Sequence, residues 1–182
     1  MTGLVTERLQ LRPWRDADLE PFAALNADPE VMRHFPALLS RAESDALAAR
    51  IRANFDAQGW GLWAVEIKGG APFIGFVGLN RPSFEAPFMP AVEIGWRLAR
   101  SAWGAGYASE AARAALRFGF EDQKLDAIVS FTAPANTRSR AVMERLGLGN
   151  TGQDFEHPRV PEGSPLRRQV LYRLERAAWR PD

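Results

Sequence analysis

The chain has 182 residues, of which 46% are apolar and 25% are charged, and its formal net charge is +1. We expect one domain over residues 1–182, with the fold itself within about residues 6–175. The balanced charge gives no sign of a nucleic acid partner, and the absence of cysteine excludes disulfides, cysteine-ligated zinc and a cysteine nucleophile. Only two histidines, no secretory signal pattern and no long apolar run are present, so we expect a cytoplasmic protein without metal or membrane partner.

The first third of the chain is predicted to be mainly helical. Residues 9–12 alternate between apolar and polar side chains, which predicts a short strand. Asp16 is expected to cap a helix that runs to about residue 25, and a second short helical piece is expected over residues 29–34. The longest helix is predicted over residues 40–58, because apolar residues recur at every fourth position along it.

The remainder of the chain is predicted to mix strands with helices. Strands are expected over residues 61–67, 73–79, 91–98, 127–132 and 169–174, with a further candidate over residues 154–157. Helices are expected over residues 107–120 and 137–146, and a loop with three prolines over residues 80–90. This order predicts an α/β or α+β fold around a mixed sheet.

A glycine-rich turn joins the predicted strand over residues 91–98 to the helix that follows it. Gly104 and Gly106 can adopt positive φ angles and allow a ligand to approach the main chain. The first turn of a helix carries unpaired N–H groups at the positive end of its dipole, which predicts an anion site. A Rossmann nucleotide motif would need glycine where Ser109 stands, and the lysine of a P-loop is absent. The turn alone leaves nucleotide, phosphate and coenzyme A open as ligands.

Four motifs in order along the chain resemble the GNAT family of N-acetyltransferases. They are Thr-Glu-Arg-Leu-Gln-Leu-Arg at residues 6–12, Trp-Gly-Ala-Gly-Tyr-Ala at residues 103–108, Asn136 with Ser139, and Arg-Leu-Gly at residues 145–147. The first three are similar to the branch that acetylates ribosomal-protein N-termini (RimJ/RimL). The resemblance covers nearly the whole chain. It implies the GNAT fold, with a mixed, mostly antiparallel sheet of about six to seven strands flanked by helices.

The resemblance also implies that acetyl-CoA is the cosubstrate. In the family, N–H groups of the glycine turn hold the pyrophosphate, the preceding strand pairs with the pantetheine amides, and the asparagine hydrogen-bonds the cofactor. The residues implied to bind acetyl-CoA are Trp96, Arg97, Leu98, Trp103, Gly104, Ala105, Gly106, Tyr107, Ala108, Ser109, Asn136 and Ser139. Trp103 departs from the polar residue that often begins the family's motif, which removes one polar phosphate contact. From the residues alone, a plain tight turn and a helix cap at Asn136 are the alternatives.

Two residues are candidates for acid–base chemistry. Glu93 lies in a predicted strand between apolar neighbours, which favours a raised pKa, and the family often carries its base in this strand. Ser139 is implied by the resemblance to face the thioester sulfur and to protonate the departing thiolate. The alternatives are a structural Glu93 paired with an arginine and a Ser139 that only supports the start of its helix.

The acceptor side of the site is expected to be shaped by loops. The residues predicted to line it are Phe35, Trp60, Trp63, Phe84, Phe88, Glu156 and His157. His157 has the unperturbed pKa best suited to proton transfer near neutrality, with a plain surface position as its alternative. Core packing is the alternative for the tryptophans, and a lid or subunit contact for the two phenylalanines of the proline-rich loop.

The predicted activity is transfer of an acetyl group from acetyl-CoA to a primary amine, either a protein N-terminus or a small molecule. Transfer is expected to be direct, since no cysteine is present to carry the acyl group. A nucleotide-dependent oxidoreductase is the second enzyme class considered. A non-catalytic acyl-CoA sensor or scaffold on the same fold is the non-enzyme alternative. We expect a monomer or a homodimer.

Overall fold

The computed structural model describes residues 3–181, which form nine strands and four α-helices. The strands are β1 Leu4–Val5, β2 Leu9–Arg12, β3 Leu62–Ile67, β4 Gly75–Asn80, β5 Glu93–Leu98, β6 Ala127–Thr132, β7 Gly149–Asn150, β8 Phe155–Glu156 and β9 Arg168–Glu175. The helices are α1 Leu19–Asn26, α2 Arg41–Gln58, α3 Tyr107–Arg117 and α4 Thr137–Arg145.

The strands of residues 3–181 form one mixed sheet in the order β1-β2-β3-β4-β5-β6-β9-β7, and β8 also pairs with β9. All pairs within it are antiparallel except β5 with β6, which run parallel. The predicted α/β fold with a mixed, mostly antiparallel sheet is confirmed. The sheet has more strands than predicted because β1 and β7 contain two residues each, too few to show an alternating pattern.

Helices cover both faces of the sheet. On one face, α3 and α4 pack over a large core that includes the fully buried Trp63, Ile94 and Leu116. On the other face, α1 and α2 pack over a smaller core that includes Phe22 and Phe76. Because alternate side chains of a strand point to opposite faces, the central strand β5 contributes side chains to both layers.

Helix α2 begins and ends as its sequence predicts. The Ser40 side chain accepts the Glu43 N–H, and the Glu43 carboxylate accepts the Ser40 N–H, which forms a capping box. Gly59 ends the helix in the left-handed conformation at φ 76°. Within residues 3–181 no helix, including this longest one, is both long enough and apolar enough to cross a membrane.

Two predictions for the helical first third of the chain are wrong. Asp16 does not cap α1, because it is the first residue of a 3-10 turn, Asp16–Asp18, that precedes the helix. Within this turn the Asp18 carboxylate accepts the Arg15 N–H. Asp16 pairs with Arg52 of α2 at 2.8 Å. Residues 29–34 form turns rather than a helix.

Helix α3 ends earlier than predicted, at Arg117, and the chain continues as a π-helical turn over Phe118–Asp122. Gly119 lies in this turn against β6. A Cβ at Gly119 would lie 2.7 Å from the Ile128 side chain. The turn therefore depends on the small size of glycine for its close approach to the sheet.

Candidate functional site

The two parallel strands β5 and β6 separate soon after they meet. Within residues 3–181 they pair at one position, Glu93 with Val129, whereas β4 and β5 pair at six. The Val129 N–H donates to the Val92 carbonyl at 2.9 Å, and Ser130 Oγ donates to the Ile94 carbonyl at 2.9 Å. Beyond these contacts the strands diverge, so main-chain groups of β5 face a gap instead of a neighbouring strand.

Alternation along β5 decides which main-chain groups face this gap. Successive peptide groups of a strand point to opposite sides. The Ile94 carbonyl points to β6, so Trp96 and Leu98 present their main-chain groups to the same side, and the main chain of Arg97 points to β4. The Leu98 carbonyl accepts a hydrogen bond from Trp103 Nε1 at 2.8 Å. Of the predicted pantetheine partners in β5, Trp96 and Leu98 therefore direct N–H groups into the gap.

Helix α3 begins at the glycine turn without a capping side chain. Its N-cap residue is Gly106, at φ 82°, and Gly104 has φ 78°. A Cβ at Gly104 would meet none of the described atoms within 4 Å, and one at Gly106 would lie 3.5 Å from the Arg8 guanidinium. No described side chain caps the start of α3, and the space beside Gly104 is open, so the turn leaves room for a phosphate. The predicted residues Ala105, Tyr107, Ala108 and Ser109 lie in this turn and the start of α3.

The opening motif of the chain holds the start of α3. Thr6 Oγ1 donates to Glu110 Oε1 at 2.6 Å, the Arg8 N–H donates to the same oxygen at 2.9 Å, and Arg8 Nε donates to Glu110 Oε2 at 2.7 Å. Burial acts to raise the pKa of Glu110, but the hydrogen bonds from Thr6 and Arg8 bring it below its ordinary value. The Arg8 guanidinium also lies 4.7 Å from the centre of the Tyr107 ring. The motif was expected only as part of the family resemblance, and its contacts with α3 give it a structural role as well.

Arg138, at the start of α4, lies beside the glycine turn and is absent from the predicted site residues. Its guanidinium carbon lies 4.6 Å from the centre of the Trp103 ring. Arg138 is exposed, so its charge is available to an anion bound at the turn. A cation therefore stacks on the Trp103 ring next to the turn. The signal in the sequence was the position of Arg138 between Asn136 and Ser139 of the Asn-x-x-Ser motif.

The start of α4 meets β5 through Ser139. Trp96 Nε1 donates to Ser139 Oγ at 3.3 Å, which joins two predicted site residues. Asn136 is the N-cap of α4, where its Oδ1 accepts the Ser139 N–H at 3.3 Å and its Nδ2 donates to Thr132 Oγ1 at 2.9 Å. The capping role of Asn136 is therefore present, and its contact with a cofactor stays a prediction.

Glu93 lies on the opposite face of β5 from Trp96. Burial raises its pKa to about 7, although a hydrogen bond with the Asn80 side chain acts to lower it. Asn80 is its direct neighbour on β4, so the structure pairs Glu93 with an amide and not with an arginine. A Cβ at Gly95, the next residue on this face, would find Glu93 Oε1 at 3.8 Å as its nearest described neighbour. The carboxylate is therefore partly ionised at neutral pH and borders open space.

The side chain of Arg97 lies on the same face as Glu93 and reaches α1. Its NH1 donates to Asn26 Oδ1 at 2.6 Å, and Asn26 Nδ2 donates to Ser44 Oγ at 2.9 Å. The predicted acceptor residue Phe35 covers the guanidinium, with 4.0 Å between its ring centre and the guanidinium carbon. Burial lowers the pKa of Arg97 to about 10. Arg97 and Phe35 therefore close one end of this face and tie β5 to α1 and α2.

Five aromatic side chains gather at the other end, and we call them the aromatic wall. They come from the proline-rich loop, from β6 and from β8 with the residue after it, and they are Phe84, Phe88, Phe131, Phe155 and His157. Phe84 lies 5.8 Å from Phe131 and 4.5 Å from His157, measured between ring centres. Phe155 lies 4.9 Å from Phe88 and 5.4 Å from Phe131. All five side chains are partly exposed and lie outside the two buried cores.

Hydrogen bonds and ion pairs hold the rim of the aromatic wall. His157 Nδ1 accepts the Arg159 N–H at 3.2 Å, and Arg159 NH2 donates to the carbonyl and the hydroxyl of Ser83 at 2.8 and 2.7 Å. Burial lowers the pKa of His157, and the charges of Arg159 and Arg167 lower it further, so this imidazole is neutral at neutral pH. The exposed Glu156 pairs with Arg167 at 3.2 Å.

Two predicted acceptor residues belong to the hydrophobic core instead. Trp63 has no exposed surface and makes edge-to-face contacts with Phe55 and Phe118, at 5.6 and 5.4 Å between ring centres. Trp60 is buried in the same core. Its position in β3 directs Trp63 to the α3 face, where it meets Phe118, and away from Glu93. Within residues 3–181 no three His, Asp or Glu side chains are grouped so that they could hold a metal ion.

The family model of the acetyltransferase (GNAT) domain matches residues 8–149. The chain belongs to this family. This GNAT protein is 34% identical over 148 residues to the uncharacterized protein YkkB of Bacillus subtilis, which covers 81% of the chain and 85% of the relative. It is 30% identical over 183 residues to the FsC-acetyl coenzyme A-N(2)-transacetylase of Aspergillus fumigatus. That alignment covers 97% of this chain and 77% of the relative. The crystal structure of an acetyltransferase from Agrobacterium tumefaciens superposes with a TM-score of 0.77 at 30% identity, over 96% and 95%.

Family membership makes this GNAT protein an acyltransferase and confirms the predicted superfamily and enzyme class. The oxidoreductase alternative is thereby wrong. The roles of the individual residues, the branch within the superfamily and the acceptor stay predictions.

Proposed function

We propose that this protein transfers an acetyl group from acetyl-CoA directly to a primary amine. The observation that carries the proposal is the gap that opens between β5 and β6 next to Glu93. It brings main-chain N–H groups, an uncapped helix start and a carboxylate of raised pKa to one cleft. An acyl donor with a pyrophosphate and an acceptor with a proton to lose are the reactants that such a cleft suits.

The chain's own groups fit acetyl-CoA along this gap. Gly104, Gly106 and the first turn of α3 would hold the pyrophosphate, with Arg138 as an added cation. The N–H groups of Trp96 and Leu98 would pair with the pantetheine amides, as an added strand does. When bound, acetyl-CoA supplies the thioester whose carbonyl carbon the amine attacks.

Glu93 and Ser139 are assigned complementary proton transfers. An amine in water is mostly an ammonium ion, and Glu93 would accept its proton, directly or through one water. The pKa of Glu93, raised by burial to about 7, suits this task near neutral pH. Ser139 Oγ already accepts a hydrogen bond from Trp96 Nε1, so its own hydrogen can be directed to the departing sulfur. A main-chain N–H of β5 would stabilise the charge that develops on the carbonyl oxygen.

The proposed acceptor is a protein N-terminus or a small-molecule amine. The resemblance of three motifs to the RimJ/RimL branch supports the first. The open face beside Glu93 admits either. We propose that the protein acts in the cytoplasm as a monomer or homodimer, without nucleic acid or metal.

The experiment is release of free CoA thiol from acetyl-CoA, followed over a panel of primary amines and short peptides. Wild type should turn over at least one of them, Glu93→Gln should lower kcat strongly, and Ser139→Ala should lower it less, because a thiolate leaves without full protonation. Calorimetry with CoA provides the control for binding. Tight CoA binding without turnover on any amine would refute the proposal and favour the sensor alternative.

A further inference from the structure

We propose that the aromatic wall selects acceptors whose amine lies within a few bonds of an aromatic or branched apolar group. This inference rests on the proposed function, since the wall borders the carboxylate that is assigned as the base. It names the chemical class of the acceptor, which family membership leaves open.

Strand register places the wall on the same face of the sheet as Glu93. Glu93 and Val129 are partners in the parallel pair, so their side chains lie on the same face of the sheet. Phe131 follows two residues after Val129 and therefore lies on that face as well. On the other side, Asn80, which hydrogen-bonds Glu93, is the last residue before the loop that carries Phe84. The wall and the carboxylate thus border the same open space.

The composition of the wall favours an apolar group over a second charge. His157 is neutral at neutral pH, because burial and nearby arginines lower its pKa. Two carboxylates next to the wall are already paired, Asp154 with Arg168 at 2.7 Å and Glu156 with Arg167 at 3.2 Å, so neither is free to bind a second ammonium group of the acceptor.

The partial exposure of the rings indicates that the wall is a contact surface and not a third core. Five rings that pack on one another but keep part of their surface in water carry a hydration cost, which an apolar group of the acceptor removes. Arg159 fixes the proline-rich loop through two hydrogen bonds to Ser83, so the wall is ordered before the acceptor arrives. An ordered surface loses less entropy on binding.

The test compares acceptors that share a primary amine and differ in the group beside it. Values of kcat/KM are measured at saturating acetyl-CoA for 2-phenylethylamine, isoamylamine, ethanolamine and putrescine. We expect the two apolar amines to exceed the two polar ones by about tenfold or more. Two tripeptides, with phenylalanine or serine at the N-terminus, show whether the apolar group belongs to a small molecule or to a peptide. A higher kcat/KM for the apolar amines or for the tripeptide with N-terminal phenylalanine supports the proposed role of the wall.

Variants link this preference to the wall. Phe84→Leu and Phe131→Leu should each reduce the ratio of kcat/KM for 2-phenylethylamine to kcat/KM for ethanolamine by about threefold to tenfold. Phe73→Leu is the matched control, because Phe73 packs against Trp14 on the α1 side, away from the wall, and should leave the ratio unchanged. Thermal melting checks that each variant is folded.

Calorimetric titration of 2-phenylethylamine into CoA-saturated protein separates this inference from the proposed function. Binding that Phe84→Leu weakens, without turnover of any amine, would refute acetyl transfer and support the wall. Values of kcat/KM for ethanolamine or putrescine equal to those for the apolar amines would refute the proposed role of the wall. A ratio of kcat/KM for 2-phenylethylamine to ethanolamine that neither wall variant changes would refute it as well. Neither result would contradict acetyl transfer.

Discussion

Replacement of Glu93 by glutamine should change the pH dependence of stability in a direction that the structure determines. Burial raises the pKa of Glu93 from 4.5 to about 7 in the folded protein, so between these values the folded state holds a proton that the unfolded state has released. Stability is therefore lost as pH rises from about 4.5 to about 7, and the loss is complete above that range. The difference of about 2.5 pH units corresponds to about 3 kcal/mol as an upper limit.

The assay is urea unfolding of wild type and Glu93→Gln at pH 5, 6, 7 and 8. Glutamine resembles the protonated acid in shape and keeps an oxygen for Asn80, so the two proteins should be nearly equal in stability at pH 5. At pH 8 the variant should be more stable by about 2 to 3 kcal/mol. Other titrating groups cancel in the comparison. A difference that is the same at every pH, or a variant that is less stable at pH 8, would refute the assignment of a raised pKa.

Three further predictions concern the site. The same Glu93→Gln variant should lose the acidic limb of the pH profile of kcat/KM, and in wild type the midpoint of that limb should lie near pH 7. If the limb persists in the variant, another residue such as His157 is the base. Gly106→Val should lower the affinity for CoA by at least about tenfold, because a side chain there enters the space at the start of α3. The control Gly163→Val, at a similar φ of 78° in another loop, should leave the affinity unchanged. An unchanged affinity of Gly106→Val for CoA, measured by calorimetry, would refute the assignment of the turn to the pyrophosphate. Arg138→Gln should raise KM for acetyl-CoA by about threefold to tenfold, with kcat nearly unchanged. This increase in KM should become smaller at high salt, because salt screens the charge. An equal increase in KM for the control Arg50→Gln, on the exposed side of α2, would show that the effect is not local.

Local patterns carried much of the prediction. The capping box of Ser40 and Glu43 and the terminal Gly59 follow from short-range preferences, and the structure has both. The glycine turn is also local, because positive φ at Gly104 and Gly106 depends on the residues themselves. The raised pKa of Glu93 was expected from its apolar neighbours along the strand, and the structure shows the same direction.

Predictions failed where an interaction with a distant segment decided the outcome. Asp16 has the right residue type for a cap, but Arg52 of another helix holds its carboxylate. Trp63 is as aromatic as the residues of the aromatic wall, yet its place in the strand turns it into the core under α3. No property of either residue alone distinguishes these outcomes.

By itself, the sequence determined the family, the order of most helices and strands, and the glycine turn that begins α3, because each depends on neighbouring residues. Only the tertiary structure decided which residues meet in the site. Thr6 reaches Glu110 across more than a hundred residues, and Trp96 reaches Ser139 across 43. The aromatic wall draws on three separate segments. Strand register and helix packing set such contacts, and they minimise the free energy of the whole chain rather than of any one segment.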